Sequence, residues 1–245
     1  MATLENAVGV LRCFSAARAE LTVKDASALL KLPKSNVSRL LRSMRDTGLL
    51  DSAIDSRGYR PGVLLIELGQ VFRAGRSLIA CANDAVRGIC DILGHTGYVS
   101  ARVGTDMLGL AHHAGRNAIQ VGVPLGRRLS VDACATGRSL LALMSDGEVR
   151  TLLGNKLSRV GLNAPATFAD LFRRLALVRR LGYAESVDEA GKGVGAFAVA
   201  VQDPQTDEAL SICITFPSAT LDEFERNRVI ELLLQARSDI LRYHP

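Results

Sequence analysis

The residues best suited to recognising another molecule lie on one face of a short predicted helix between Leu32 and Met44. Arg39 and Arg42 share one side of that helix, and apolar residues repeat on the opposite side. Arginine pairs bidentately with guanine, and hydroxyl or amide groups near a helix N-terminus can contact phosphates or bases. This segment alone is equally typical of a solvated helix face. The predicted contacts here are Lys34, Ser35, Asn36, Ser38, Arg39 and Arg42.

Two further helices are predicted before the basic one. The first covers residues 5–16, and the second begins after Thr22, a predicted N-cap that pairs with Asp25 three residues later. A tight turn around Pro33 then leads into the basic helix, which is the order of a helix-turn-helix. The predicted apolar faces are Val8, Leu11 and Phe14 in the first helix and Ala26, Leu29 and Leu30 in the second.

A small hairpin follows the three helices. Gly48 is a good helix terminator, and two short predicted strands flank a turn at residues 55–58. Arg57 and Arg60 lie on this hairpin, which we interpret as the wing of a winged helix-turn-helix. We expect both arginines, with Lys34, to contact phosphates, which position a protein on DNA without reading its sequence.

The positive charge of the chain is confined to the same region. Residues 1–76 hold 12 Lys and Arg against 7 Asp and Glu, whereas residues 77–245 hold 18 of each. A basic small domain followed by a neutral larger one points to a polyanion partner for the first part only. Together with the wing, this charge distribution favours double-stranded DNA as the partner of the predicted basic helix.

The next segment is predicted to be largely helical, with glycines at positions 69, 75 and 88 that suggest a bend or a domain boundary. Two apolar ridges follow helical spacing. In the simpler interpretation, both ridges pack onto their own domains. In the alternative, part of the first ridge packs against a second subunit. We favour a homodimer because two half-sites are usually needed for useful specificity. The ridges are Leu64, Leu65, Leu68 and Phe72, then Ile79, Ala82, Val86, Ile89, Ile92 and Leu93.

From Tyr98 onward the pattern mixes strands and helices. Two strands flank a turn at residues 104–106, and two near-continuous apolar strands flank residues 204–208. Thr167 and Gly182 bound a predicted amphipathic helix, a broken helical stretch follows Cys134, and a long helix ends the chain. This pattern predicts an α+β domain around an antiparallel sheet.

Composition excludes several classes of protein. The five cysteines are scattered without metal-ligand spacing, so we predict no metal and no cofactor. No apolar run approaches the length of a membrane span, and the N-terminus has no signal-peptide pattern, so we expect a cytoplasmic protein without a membrane partner.

Three separated blocks of this chain resemble the IclR-type bacterial transcriptional regulators. The blocks are KLPKSNVSRLLRSMRDTGLL with RGYRPGVLLIELG, then VPLGRRLSVDACATGRSLLALMS, then LGYAESVDEAGKGVGAFAVAVQD with LSICITFP. The resemblance implies an N-terminal winged helix-turn-helix, a linker helix and a C-terminal GAF-like effector domain. It also implies DNA-binding dimers, often paired into tetramers, that repress or activate catabolic genes in response to small metabolites such as organic acids or aromatic compounds.

The resemblance further implies an effector site between the central sheet and the loops beside it. Members that bind small keto acids can carry an acidic residue in place of Ser186, a cysteine in place of Ala196 and serines in place of Cys213 and Thr215. The family's common histidine and lysine are Asp132 and Arg138 here. We therefore expect a less polar effector, a hypothesis that fails if a small keto acid binds better than aromatic or larger ligands. The implied positions are Val121, Leu129, Ala135, Thr136, Ser186, Ala196, Cys213 and Thr215.

Several other residues have a functional and a structural interpretation. His112 and His113 are adjacent on a strand and point to opposite faces, so they are poorly placed to bind one metal, although one of them could line a pocket. Cys134 before a helix suggests a nucleophile, but a buried or pocket-lining thiol fits better without a base nearby. Three alternate glycines, Gly191, Gly193 and Gly195, lack a phosphate-loop pattern, and we expect them to allow a close approach to the ligand. The arginine pairs at 127–128, 173–174 and 179–180 are typical of solvated faces, although one pair could meet an anionic effector.

We conclude from the sequence that the chain is a ligand-responsive transcriptional regulator. The first alternative is an enzyme with a catalytic C-terminal domain and a nucleic-acid anchor, but no constellation of convergent titratable groups supports a catalytic site. The second is a DNA-organising protein without a ligand, which a closed and fully packed C-terminal domain would favour. The predicted domains are a DNA-binding domain at 1–62, a linker helix at 63–80 and an effector-binding and oligomerisation domain at 81–245.

Overall fold

A computed structural model describes the chain at residues 2–15, 18–53, 58–74, 77–117, 128–158, 161, 163–219 and 221–243. The chain divides into two units, Met1–Arg76 and Ser77–Pro245. The predicted domain limits at residues 62 and 80 stay predictions. Among the described helices, none combines the length and the apolar composition needed to cross a bilayer.

The first unit is a three-helix bundle with a short antiparallel hairpin and a following helix. Thr22 caps the second helix in a full capping box, in which its hydroxyl accepts from the Asp25 amide and the Asp25 carboxylate accepts from the Thr22 amide. The predicted cap is therefore confirmed. The elements are α1 Ala2–Arg12, α2 Val23–Leu30, α3 Lys34–Asp46, β1 Leu50–Ser52, β2 Tyr59–Pro61 and α4 Val63–Ala74.

The core of this unit differs in part from the prediction. Val8 is 39% exposed and Leu29 is 46% exposed, so the predicted inner positions were wrong at these two residues. Val10 takes the buried position of α1, because α1 begins near the N-terminus and ends at Arg12 rather than at residue 16. The buried apolar residues are Val10, Leu21, Ala26, Val37, Leu41, Met44 and Leu50.

Helix α4 presents much of its apolar surface to solvent. Leu68, which the sequence placed on an apolar ridge, is 53% exposed, while Leu64 and Leu65 are half-buried. The side chain of Phe72 lies outside the described residues. Gly69 lies within the helix without breaking it. The exposed apolar residues of α4 are Val63, Ile66, Leu68 and Val71.

The second unit is an α+β fold built on a six-stranded sheet. Every adjacent pair of strands is antiparallel, and the strand order is β5-β4-β3-β8-β7-β6. The predicted fold class is confirmed. The elements are α5 Ser77–Leu93, β3 Thr96–Val103, β4 Asp106–His113, β5 Arg128–Ser130, α6 Ala135–Leu141, α7 Asp146–Leu153, α8 Phe168–Leu181, β6 Ala184–Val187, β7 Val194–Gln202, β8 Ala209–Pro217 and α9 Glu223–Tyr243.

Helices cover both faces of this sheet. On one face, α5 and α9 pack against Val199, Ile212 and other branched side chains of β7 and β8. On the other face, α6 lies on the small side chains of β7 and β8, and α8 packs behind it. Burial on both faces explains why the sequences of β7 and β8 are almost continuously apolar. The small residues on the α6 face leave room for a cavity.

Three details of this unit depart from the sequence prediction. Strand β6 was missed because it has only four residues. The break between the two helices after Cys134 begins earlier than expected, because α6 ends at Leu141 and Ser145 is the N-cap of α7. Ile92, placed on the second apolar ridge, is 55% exposed, and Cys90 is buried near it instead.

Candidate nucleic-acid interface and ligand cavity

Helix α3 separates a buried apolar face from an exposed polar one. Val37, Leu41 and Met44 are buried against α1 and α2. Ser38 is half-buried, so it is less accessible than the other predicted contacts. The exposed residues among the predicted contacts of α3 are Lys34, Ser35, Asn36, Arg39 and Arg42.

The arginine in the middle of this face has a partner on its own helix. A terminal nitrogen of Arg39 donates to Oδ1 of Asn36 at 3.3 Å. Arg60 is exposed on β2 in the wing hairpin, and Arg57 lies outside the described residues. The unit thus presents exposed cationic groups on α3 and on its hairpin, which suits a polyanion.

A cavity in the second unit lies between the sheet and the start of α6. Its volume is about 60 Å³, larger than the space needed for one water molecule. Seven of the eight residues implied as effector contacts line it, and Val121 lies outside the described residues. Those seven are Leu129, Ala135, Thr136, Ser186, Ala196, Cys213 and Thr215.

Seven further residues line the cavity, and of these only Cys134 was considered as a lining residue from the sequence. Tyr98 and Ser100 alternate on β3, so a strand with period two puts both on the cavity side. Tyr98 is directly opposite Cys213 in the register, which could have identified it once Cys213 was placed. The additional lining residues are Tyr98, Ser100, Met107, Gly109, Cys134, Ala190 and Val194.

The described residues that line the cavity provide hydrogen-bonding groups but no charged side chain. The hydroxyls of Ser100 and Ser186 belong to side chains that are only 6% and 4% exposed, and within the described chain neither has a hydrogen-bond partner. In contrast, Thr215 donates to the carbonyl of Thr96, and Thr136 is paired with Cys134. Two hydroxyls that line the cavity are therefore available to a ligand.

Cys134 is a structural thiol at this site. Its Sγ accepts from the amide of Gly137 at 3.3 Å and caps α6. Burial raises the pKa of the Cys134 thiol and that of the Cys213 thiol, so both are held as neutral thiols. These values favour the prediction of pocket-lining thiols over a nucleophile, since the thiolate is the reactive form.

Asp132 and Arg138, two departures from the family pattern, support the cavity wall. The buried carboxylate of Asp132 accepts from the amide and hydroxyl of Ser158, both at 2.8 Å. Arg138 is 1% exposed and donates to the Glu189 carboxylate and to the backbone carbonyl of Asp132. These side chains tie the start of α6 to neighbouring loops, a role that sequence reasoning did not identify.

Backbone packing at two glycines also shapes the site. A Cβ on Gly137 would lie 2.0 Å from the carbonyl oxygen of Val131, so this turn into α6 requires glycine. A Cβ on Gly195 would lie 2.1 Å from the ring of Phe216. Gly195 therefore makes room for an aromatic ring on the neighbouring strand, and its predicted role in ligand approach stays a prediction.

The histidine pair has structural partners and does not line the cavity. Nε2 of His113 pairs with Oδ1 of Asn83 at 2.9 Å, and the ring of His112 lies 5.0 Å from that of Tyr98. Burial lowers the pKa of His113. In the described part of the chain, no cluster of three His, Cys, Asp or Glu residues could hold a metal ion.

The arginine pairs are mostly engaged in local ion pairs. Arg173 and Arg174 both pair with Asp170, and Arg179 pairs with Asp146 while donating to the carbonyl of Met144. Arg127 lies outside the described residues. None of these arginines lines the described wall of the ligand cavity.

A helix-turn-helix unit with an exposed basic helix, followed by an α+β unit with a GAF-like fold around a cavity, defines a ligand-responsive DNA-binding regulator. Residues 3–52 match the family model described as the IclR helix-turn-helix domain, and residues 74–242 match that of the bacterial transcriptional regulator IclR C-terminal domain. The chain therefore belongs to the IclR family of bacterial transcriptional regulators. This is a family of regulators and not of enzymes, so the enzyme alternative is set aside.

Similar proteins extend over nearly the whole chain. The transcriptional regulator XynR of Escherichia coli K12 is 27% identical over 96% of this chain and 93% of its own length. The transcriptional repressor AllR of the same organism is 25% identical over 99% of this chain and 92% of its own length. An IclR homolog from Microbacterium hydrocarbonoxydans, solved in complex with 4-hydroxybenzoate, has a TM-score of 0.85 and 23% identity, and the match covers 98% of this chain and 99% of that one.

Proposed function

We propose that this regulator binds a palindromic operator as a homodimer and that a small organic effector in the cavity of the second unit changes its affinity for DNA. The observation that carries this proposal is the convergence of seven implied effector positions, from strands and helices far apart in sequence, on a single cavity. A fully packed second unit would have favoured a DNA-organising protein without a ligand.

The proposed DNA contacts divide by chemistry. Arg39 and Arg42 read base edges in the major groove, because arginine forms bidentate pairs with guanine. Lys34, Arg57 and Arg60 contact phosphates and set the position of the helix. The short polar side chains at the start of α3 contact phosphates or bases, and they are Ser35, Asn36 and Ser38.

The proposed dimer is supported by the exposed apolar residues of α4. Four branched side chains on one short helix form a surface that water solvates poorly, and such surfaces commonly mark protein interfaces. A dimer places two α3 helices on two half-sites of a palindrome. Pairing of dimers into tetramers is a further part of the proposal, as is a location in the cytoplasm with the DNA.

The proposed effector is an aromatic compound or a small organic acid that signals the need for a catabolic operon. The described lining consists of apolar, hydroxyl and thiol groups, which suits an aromatic body, and a similar protein was solved with 4-hydroxybenzoate. The effector acts by binding the DNA-competent and DNA-incompetent states unequally. By analogy with the repressor AllR, we propose that this regulator represses its target operon.

A mobility-shift titration with the intergenic DNA upstream of its own gene tests this function. The titration is made at two salt concentrations with the wild type, Arg39→Ala, Arg42→Ala and the control Arg180→Ala, and is repeated with 4-hydroxybenzoate, para-coumarate and pyruvate. We expect specific binding that weakens in the first two variants only and responds to an aromatic ligand. Equal binding to any DNA, unchanged in these variants, would overturn the proposal.

A further inference from the structure

The ligand cavity, as it stands, is too small for the ring of an aromatic compound. Its volume is about 60 Å³, whereas a cavity that holds one benzene molecule measures about 150 Å³. An aromatic effector therefore enters only if part of the cavity wall moves. The described wall consists of strands of the sheet, the start of α6 and the loop between β6 and β7.

Two of these three parts are fixed by buried contacts. The strands β7 and β8 are covered by helices on both faces. All seven residues of α6 are buried, and Gly137 in its first turn packs against the carbonyl of Val131. Arg138 of the same helix binds the carboxylate of Glu189 and the carbonyl of Asp132. Movement of either part would break packed and hydrogen-bonded groups inside the unit.

The loop between β6 and β7 is the third part, and its segment 190–193 is attached more weakly. Ala190 lines the cavity, whereas Gly193 is exposed to solvent. Directly before this segment, Glu189 is buried and paired with two arginines. The segment therefore runs from a buried anchor to the start of β7, and it stands between the cavity and solvent.

Gly193 holds this segment closed through two hydrogen bonds. Its amide donates to Oδ1 of Asp188 at 2.6 Å, and its carbonyl accepts from the amide of Ser218 at 3.0 Å. The hydroxyl of Ser218 also donates to Oδ1 of Asp188, at 3.1 Å. Gly193 makes these bonds with a φ of 78°, in the left-handed region that glycine adopts without strain. We call these three residues the latch.

We propose that residues 190–193 are a lid that opens to admit a ligand of ring size into the cavity. Glu189 stays in place as the anchor, the hydrogen bonds of the latch break, and Ala190 moves away from the cavity. The inference rests on the proposed effector function of the cavity, and it adds the route by which the effector enters and the residues that control its entry.

Alanine substitutions at two glycines of the lid separate strain in the latch from the general effect of an added methyl group. A Cβ on Gly193 would have no described heavy atom within 4 Å, so Gly193→Ala strains only the left-handed backbone of the closed lid. A Cβ on Gly191 would lie at an ordinary contact distance, 3.5 Å from Cγ2 of Val194, and the φ of Gly191 is not positive. Gly191→Ala is therefore the matched control. Ser218→Ala is a second latch variant, which removes the hydroxyl bonded to Asp188.

The thiols of the chain report opening of the lid without any ligand. Cys134 and Cys213 line the cavity, whereas Cys90 is buried where α5 packs on the opposite face of the sheet. Methyl methanethiosulfonate is applied to the folded full chain at urea concentrations below the unfolding transition, and mass spectrometry follows each thiol. Because a lid exposes little surface when it opens, the labelling rate of the cavity thiols should depend only weakly on urea. The rate of Cys90 should follow global unfolding, which depends steeply on urea.

We expect Gly193→Ala to raise the weakly urea-dependent labelling rate of Cys134 and Cys213 by roughly five- to thirtyfold, because the strain is released when the lid opens. Ser218→Ala should raise this rate by roughly two- to tenfold, the effect of one hydrogen bond. Gly191→Ala should not raise it. The rate at which 4-hydroxybenzoate binds, measured by stopped flow, should increase in the same order.

Two results overturn the lid. If Cys134 and Cys213 show the steep urea dependence of Cys90, they are exposed only by global unfolding. If Gly193→Ala and Gly191→Ala give equal rates, the opening does not involve the latch. Neither result rejects the proposed function, which the mobility shift decides. Conversely, failure of 4-hydroxybenzoate to bind would reject this effector, while the thiol rates still decide the lid.

Discussion

The guanidinium of Arg138 and the carboxylate of Glu189 form a buried ion pair across the wall of the ligand cavity. Both terminal nitrogens of Arg138 donate to the carboxylate, and the two side chains are 1% and 5% exposed. Arg138 is in α6 beside Ala135, and Glu189 directly precedes Ala190, so each partner is close to a lining residue. The pair therefore fastens the loop after β6 to the helix that closes the cavity.

Replacement of Glu189 by alanine should destabilise the second unit strongly. The change leaves the Arg138 charge buried without its partner, and such losses cost about 3–5 kcal/mol. Urea unfolding measures the free energy of unfolding of each variant. The control Arg173→Ala removes an ion pair whose arginine is 79% exposed, and its cost should stay within about 1 kcal/mol. Equal losses of unfolding free energy in Glu189→Ala and Arg173→Ala would show that the buried ion pair contributes no more to stability than the exposed one.

Replacement of Arg39 or Arg42 by alanine should weaken operator binding by about 1–3 kcal/mol if each contacts a guanine. The expected signature is a change in base preference at one position of each half-site. Replacement of Arg60, a proposed phosphate contact, should weaken binding to all sequences and reduce the slope of log affinity against log salt by about one. Mobility-shift competition with operators that carry single-base changes measures both effects. The same base preference in all three protein variants would contradict the proposed division into base contacts and phosphate contacts.

Local signals in the sequence predicted many elements of the fold. Thr167 and Gly182 bound α8 as expected, since the threonine hydroxyl accepts the Asp170 amide and the glycine adopts the left-handed conformation. The hairpin of β7 and β8 follows from two apolar runs around a polar turn. Helix α4 shows the limit of periodicity, because an apolar ridge has the same spacing whether it faces its own core or a partner.

The site depends on contacts that spacing does not encode. Arg138 and Glu189 are 51 residues apart, and nothing in either local stretch indicates that they meet. The effector positions came from a family resemblance and not from chemistry visible in the sequence. The alternation of side chains along β3 predicts that Ser100 lies on the same face as Tyr98. Which face of β3 borders the cavity depends on its pairing with β8, and local spacing does not predict that pairing.

The stability of the second unit should depend on the ionisation of Asp170. Burial alone would raise the pKa of this carboxyl, but hydrogen bonds and charges from Arg174 and Arg173 outweigh burial and lower the pKa. Because the folded pKa lies below the unfolded one, the ionised group stabilises the fold above the unfolded pKa of about 4, and this contribution is lost as pH falls through the folded pKa.

The variant Asp170→Asn tests this dependence. We expect it to cost about 1 kcal/mol at neutral pH and much less in acid, where the wild-type carboxyl is protonated. Urea unfolding of the wild type and of Asp170→Asn, at neutral pH and in acid, measures the difference between their free energies of unfolding. A difference that stays constant with pH would mean that the amide disturbs packing rather than removing a charge.

The buried thiols should resist alkylation in the folded protein. Burial raises the pKa of the Cys90 thiol to about 11 and also raises those of Cys134 and Cys213. At about pH 8 the thiolate fraction of a group with that pKa is about one in a thousand. Iodoacetamide labelling followed by mass spectrometry should modify the half-buried Cys13 and Cys81 first, and all five thiols once urea unfolds the chain. Fast labelling of folded Cys134 would revive its interpretation as a nucleophile.

The exposed apolar residues of α4 should hold the proposed dimer together. Ile66 and Val71 are 63% and 70% exposed, and a lysine at either position would place a charge in an apolar interface. We expect Ile66→Lys and Val71→Lys to shift the protein toward the monomer in sedimentation velocity and to weaken binding to a palindrome far more than to a single half-site. The control Asn155→Lys adds the same charge at an exposed polar position outside α4 and should leave the dimer intact. Dimers that persist in both test variants, with unchanged preference for the palindrome, would place the subunit interface elsewhere.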